Sequence, residues 1–189
     1  MYVFIGGVPT TGKTHLVKDF IKKSKLNILH VEIDDIRDKF KNDVNLIKWV
    51  NFFRDQDEDV YWQNTSCQKH IENVVRQSEE LWPHILEQII NIQNKHEHVI
   101  FEGVQLMPRL TRKFLKMNGF FLIPPDIETI YIRLVAHKRW GVTNDQKRNE
   151  AKCFFEGDAK YINTEARKFG YKVFDNTDEG YSQLYKWFN

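Results

Sequence analysis

Cysteine is scarce: Cys67 and Cys153 are the only two among 189 residues, and neither has a C-x-x-C partner. They read as reduced thiols of a cytosolic protein, with a single bridge between them left open as the alternative. Charge of one sign is also lacking, with 28 Lys and Arg against 26 Asp and Glu. That balance removes any electrostatic case for obligate nucleic-acid or membrane binding. No basic-then-apolar leader precedes Tyr2, and no uninterrupted apolar run approaches the roughly 18 residues a membrane span needs. A soluble, cytoplasmic protein is the expectation. There is no repeat, low-complexity tract or linker, so we expect one domain over 1–189. Aromatic residues, at 14%, are too frequent for a disordered chain.

Short apolar runs alternate with helical patterns. Tyr2–Ile5, "NILHVEI" (Asn27–Ile33), "HVIFEGV" (His98–Val104), "ETIYIRLV" (Glu128–Val135) and "YKVFDN" (Tyr171–Asn176) read as five strands. Between them, Lys13–Lys23 places Leu16, Val17, Phe20 and Ile21 on one helical face. Asp34 and Asp35 are placed to cap a helix after the second strand. Residues 45–96 form a mostly helical insert in which Pro83 starts a new helix or kinks the old one. "MPRLTRKFLKMNG" reads as a short helix closed by Gly119. Asp145–Lys168 and Glu179–Phe188 are helical, and 136–152 is a candidate lid. Strands apolar on both faces, alternating with helices, predict an α/β fold: a three-layer architecture with a mainly parallel five-stranded sheet and helices on both faces. Ligands of such sheets bind beyond the carboxyl ends of the strands.

"GVPTTGKT" (Gly7–Thr14) fits G-x-x-x-x-G-K-[ST], follows a strand and opens a helix. Gly7 and Gly12 let backbone amides wrap phosphate oxygens without intervening side chains, and the helix start presents its positive end. Gly7, Val8, Pro9, Thr10, Thr11, Gly12, Lys13, Thr14 and His15 are therefore candidate ATP-binding residues. Lys13 adds a full charge at the β- and γ-phosphates, and Thr14 can ligate Mg²⁺.

Candidates follow at the other strand ends. Asp34 can accept a hydroxyl proton, and Arg37, one turn on, can fork onto an anionic acceptor; plain capping and a solvated arginine are the simpler alternatives. Glu102 ends an apolar strand and can orient the water shell of Mg²⁺. Arg133, Lys138, Arg139, Lys147, Arg148 and Lys152 cluster near the lid. Arg139 and Arg148 are the candidates for neutralising transition-state charge, against an ordinary charged face. His96-Glu97-His98 reads as a solvated turn, not a metal site.

These residues resemble a family. The P-loop, Asp34-x-Ile36-Arg37, "EGVQLMP" (Glu102–Pro108), the Ala166–Gly170 helix end and Val173–Asn176 look like the kinase module of 2-phosphoglycerate kinase-like proteins. The resemblance implies a nucleoside-monophosphate-kinase-like fold and ATP-dependent phosphorylation of a hydroxyl. The D-D-x-R arrangement also resembles polynucleotide 5′-kinases, which implies a base at Asp34 and acceptor binding at Arg37. Asn176 and Thr177 would lie near the adenine. The expected activity is Mg²⁺- and ATP-dependent phosphorylation of a small, anionic acceptor, with Glu102 on the substrate side of the metal. A nucleic-acid 5′ end is the alternative acceptor, and a P-loop ATPase or switch the alternative activity. The absence of N-K-x-D argues against a GTPase.

Overall fold

Tyr2–Gly7 forms a central strand, β1, whose Val3 and Ile5 face one way and Phe4 the other; all three are completely buried. A strand sealed on both faces requires a covering layer on each side, and the computed structural model, which describes residues 1–136 and 143–188, has both. The remaining strands are β2 (Leu29–Glu32), β3 (Val99–Glu102), β4 (Asn118–Leu122) and β5 (Lys172–Phe174). Their order is β2-β3-β1-β4-β5, with every neighbouring pair parallel.

On one face Val3, Ile5, Ile100 and Phe120 meet α1 (Lys13–Lys23) and α10 (Thr177–Phe188), through Leu16, Val17 and Phe20 of the first and Leu184 of the second. On the other, Phe4, Phe101 and Phe121 meet α5 (Cys67–Gln93), α6 (Pro108–Phe114) and α9 (Lys160–Lys168). The insert comprises α3 (Ile47–Val50), α4 (Glu58–Asn64) and α5. Between α8 (Asn144–Cys153) and α9 the chain widens into a π-helical segment, Phe154–Ala159. Part of the expected lid, 137–142, lies outside the described residues, and Lys138 and Arg139 with it.

The fourth strand is not where the sequence pattern placed it. "ETIYIRLV" lies in a helix, α7 (Ile127–Ala136). Asp126 Oδ1 accepts a hydrogen bond from Thr129 N (2.6 Å), which starts the helix just after Pro124-Pro125. Ile130 and Leu134 are buried one turn apart, while Ile132 and Val135 are exposed, so the burial period is helical despite the β-branched residues. The strand is Asn118–Leu122 instead. Gly119, expected to close a helix, lies in it with no room for a side chain, because a Cβ there would run into the Phe4 ring.

Three further expectations are corrected. Asp34 and Asp35 do not cap a helix: α2 (Ile33–Asp38) already begins at Ile33, and both aspartates occupy its first turn, where they favour the helix dipole. Pro83 starts no new helix, since α5 runs through it without a break. Cys67 and Cys153 are not reduced thiols but a disulfide, with Cα atoms 4.4 Å apart across 86 residues of sequence. The sheet topology brings the start of α5 to the end of α8, a proximity that spacing along the chain does not reveal. The cytoplasmic expectation loses the support it drew from free thiols. Among the described residues no helix is long and apolar enough to cross a membrane.

Closing so long a loop restricts the unfolded chain. Reduction should therefore lower stability by about 2–4 kcal/mol, or roughly 5–15 °C in Tm. Calorimetry with and without reductant checks this, and the double variant Cys67→Ser/Cys153→Ser should show no response to reductant. A wild-type Tm that stays constant while both thiols become titratable would refute the stabilising role.

Candidate active site

The turn after β1 is built from positive backbone angles. Gly7 has φ 127° and Gly12 has φ 87°, and between them Thr10, at φ 64°, is the one described non-glycine residue with positive φ. A Cβ on Gly7 would strike the Leu122 carbonyl, so glycine is required there twice over. Val8 N donates to that same carbonyl (3.1 Å), and Thr11 Oγ1 donates to Val8 O (2.9 Å). These bonds tie the turn to β4 and to itself. Gly12 precedes α1, whose first turn carries no acidic residue, so the positive end of its dipole faces the turn unopposed. Lys13 is buried, and its Nζ donates to the carbonyls of Val8 (2.7 Å) and Gly7 (3.2 Å).

Thr14 and Glu102 are brought together by the pairing of β1 with β3. Thr14 Oγ1 donates to Glu102 Oε1 at 2.6 Å, and His30 Nε2 of β2 lies 3.5 Å from the same oxygen. Glu102 is only 4% exposed. Burial opposes its ionisation, but His30, the charge of Lys13 and the Thr14 hydroxyl outweigh burial and hold its carboxyl below the ordinary range. A lowered pKa means that this stabilisation is present above the unfolded carboxylate value and is lost as pH falls through the folded one. The affected window therefore lies below the ordinary value of 4.5. Glu102→Gln should flatten the acid limb of a Tm-against-pH profile, and an unchanged limb would assign the acid sensitivity to other carboxylates.

Asp34 is held from two sides. Arg37 Nη1 lies 2.8 Å from its Oδ1, and Gln105 Nε2 donates to the same atom at 3.3 Å. Among the described residues both contacts fall on Oδ1, which leaves Oδ2 free. Arg37 also reaches Asp38, with Nη2 3.0 Å from Oδ1, and Asp38 is in turn bound by Arg54 (2.8 Å). Both Nη atoms of Arg37 retain a further N–H for an anion.

One cleft of about 690 Å³ collects these groups. Pro9, Thr10, Gly12, Lys13, Thr14 and His15 line its phosphate-loop wall, while Gly7, Val8 and Thr11 build the loop from behind. Asp34, Arg37, Glu102 and Thr177 also line it; Asp35 and Asn176 do not. Asn176 Oδ1 instead accepts from Glu179 N (2.9 Å), at the start of α10. Arg148 stays out of the cleft as well, its guanidinium 4.2 Å over the Tyr131 ring. Arg139 lies outside the described residues. Among the described residues the arginine that reaches the loop is Arg133, whose Nη1 donates to Thr10 O at 2.7 Å. It belongs to the basic cluster visible in the sequence, but assigning α7 as a strand hid the face on which it projects. Gln105 and His30 were also missed. Gln105 sits inside the quoted "EGVQLMP" segment, whereas nothing local marks His30.

Phosphate-loop strand, parallel β2-β3-β1-β4-β5 sheet and helices on both faces define the P-loop NTPase fold. Solved structures share it across nearly the whole chain. A shikimate kinase from Bacteroides thetaiotaomicron is 16% identical with a TM-score of 0.55, the match covering 98% of this chain and 97% of that one. A shikimate kinase from Acinetobacter baumannii in complex with shikimate is 12% identical with a TM-score of 0.52, covering 98% and 90%. TT1252 from Thermus thermophilus is 12% identical with a TM-score of 0.54, covering 98% and 96%. No protein-family model and no curated protein matches this chain.

Proposed function

We propose that this protein transfers the γ-phosphoryl group of ATP to a hydroxyl of a small, anionic acceptor. The observation that carries the proposal is the single cleft in which Lys13, the Thr14–Glu102 pair and a carboxylate with one free oxygen, Asp34, meet. In this reading the loop amides and Lys13 bind the triphosphate, and Arg133 braces the loop through Thr10. Thr14 and Glu102 fit Mg²⁺, a hydroxyl as direct ligand and a carboxylate behind the ion's water; bound there, the metal would neutralise charge on the phosphates. Asp34 Oδ2 takes the proton of the acceptor hydroxyl as that oxygen bonds to the γ-phosphorus and the bond to the ADP oxygen breaks. Arg37 orients Asp34 and offers its remaining N–H groups to an acidic group on the acceptor.

Two structural neighbours are kinases and one holds shikimate, which supports a small acceptor. The motif resemblance to 2-phosphoglycerate kinase-like proteins supports the same choice. The test is ATP consumption with Mg²⁺ against hydroxy acids, sugars, nucleosides and 5′-hydroxyl oligonucleotides. ADP should form only when a small acceptor is present. Equal turnover without any acceptor would make the protein an ATPase, and turnover on oligonucleotides alone would move the acceptor to nucleic acid.

A further inference from the structure

The cleft has a second wall that the proposed chemistry leaves unused. It is helical, with His70 and Val74 from α5 and Phe154 and Asp158 from the π-helical segment. His70 and Asp158 are 2% and 3% exposed, yet among the described residues His70 Nε2 and Asp158 Oδ1 have no hydrogen-bond partner. Nε2 lies 3.7 Å from Asp158 Oδ2, beyond hydrogen-bonding distance. Buried polar atoms left unpaired in this way are costly and call for an explanation.

His70 is held in place through its other nitrogen. Nδ1 is 3.0 Å from Tyr61 Oη, and Asn73 Nδ2 donates to that oxygen at 3.4 Å. Burial pushes the Tyr61 hydroxyl up to about 12, so it keeps its proton and pairs with Nδ1 as donor or acceptor according to the ring tautomer. The wall thus holds a ring nitrogen, His70 Nε2, and a carboxyl oxygen, Asp158 Oδ1, that have no hydrogen-bond partner among the described residues. A hydroxyl matches both, because it accepts and donates at once. Burial pushes the Asp158 carboxyl up, and an anionic group of the ligand beside it would add to that cost, whereas a neutral hydroxyl brings no charge. Helices widened to the π form frequently mark functional positions. Here the widened segment is also anchored: Gly157 packs on the Cys67 carbonyl, where a Cβ would come within 2.6 Å, and the disulfide joins Cys67 to Cys153 just before the segment.

Resting on the kinase reading above, we infer that His70 and Asp158 form a recognition subsite for a second, neutral hydroxyl of the acceptor. The acceptor is then a polyhydroxylated small molecule, one hydroxyl reacting at Asp34 and another held between His70 Nε2 and Asp158 Oδ1.

The test uses the full chain with Mg·ADP and ¹⁵N-labelled histidine. It is titrated with glycerol, D-glycerate, D-ribose, myo-inositol and shikimate, and with acetate, L-lactate and 2-deoxy-D-ribose as partners with fewer or no hydroxyls. At least one polyhydroxyl compound should shift the His70 Nε2 resonance saturably and bind more tightly than its less hydroxylated partner. Asp158→Asn should weaken that binding about 10–100-fold without changing the thermal shift caused by ATP. His70→Gln, followed by thermal shift, serves if Asp158→Asn does not fold, and should lose the same preference. No saturable shift with any polyhydroxyl compound overturns the inference, as does equal binding of acetate or L-lactate. ATP consumption on a one-hydroxyl acceptor would overturn the subsite and leave the kinase reading standing. Polyhydroxyl binding at His70 with no phosphorylated product would do the reverse.

Discussion

Asp34→Asn is expected to lower phosphoryl transfer by about 10²–10⁴-fold while ATP still stabilises the folded chain. The magnitude is that of a general base, equivalent to roughly 2.7–5.5 kcal/mol of barrier. The amide keeps the shape of the carboxylate and can still approach Arg37 Nη1 and Gln105 Nε2, the two groups now on Oδ1. What it loses is basicity at the second oxygen, so kcat should fall more than the acceptor KM rises. Asp35→Asn is the control. Asp35 is exposed in the same first turn of α2 and does not line the cleft, so its variant should transfer at close to the wild-type rate. Single-turnover kinetics on both variants separates the two residues, and a larger loss at Asp35 would move the base there.

Lys13→Ala is expected to abolish most of the stabilisation that ATP provides. At 100 times Kd, ligand binding contributes about 2.7 kcal/mol, a rise of roughly 5–10 °C in Tm for a domain of this size. Two separate losses are expected, and both are measurable by thermal denaturation. Without ATP, the carbonyls of Gly7 and Val8 lose the buried ammonium that now bonds them, so the apo Tm should fall. With saturating Mg·ATP, the missing charge on the β- and γ-phosphates should leave the variant with little or no further rise. A full ATP-induced rise in Lys13→Ala would remove the nucleotide from this turn.

What the sequence determined by itself was local. The phosphate loop is legible because its eight residues, Gly7–Thr14, encode their own backbone angles and their own helix start. The two-sided burial of β1 and the helical face of α1 are legible for the same reason: a periodicity of two or 3.6 residues is a property of a short segment. Asp34, Arg37 and Glu102 could be marked as candidates because strand ends in a parallel sheet converge on one edge.

Tertiary structure decided everything that depends on distant partners. Whether 118–122 or 128–135 is the strand turned on a pairing with β1 and on the Asp126 cap at the end of a proline break, not on β-branched content. Thr14 meets Glu102 across 88 residues, Arg133 reaches Thr10 across 123, and Cys67 joins Cys153 across 86. The buried His70–Asp158 wall arises from α5 and the π-helical segment, which no local pattern relates. These contacts exist because the strand order and the packing of helices on each face bring chain segments together, and that arrangement is set by the burial of the whole core.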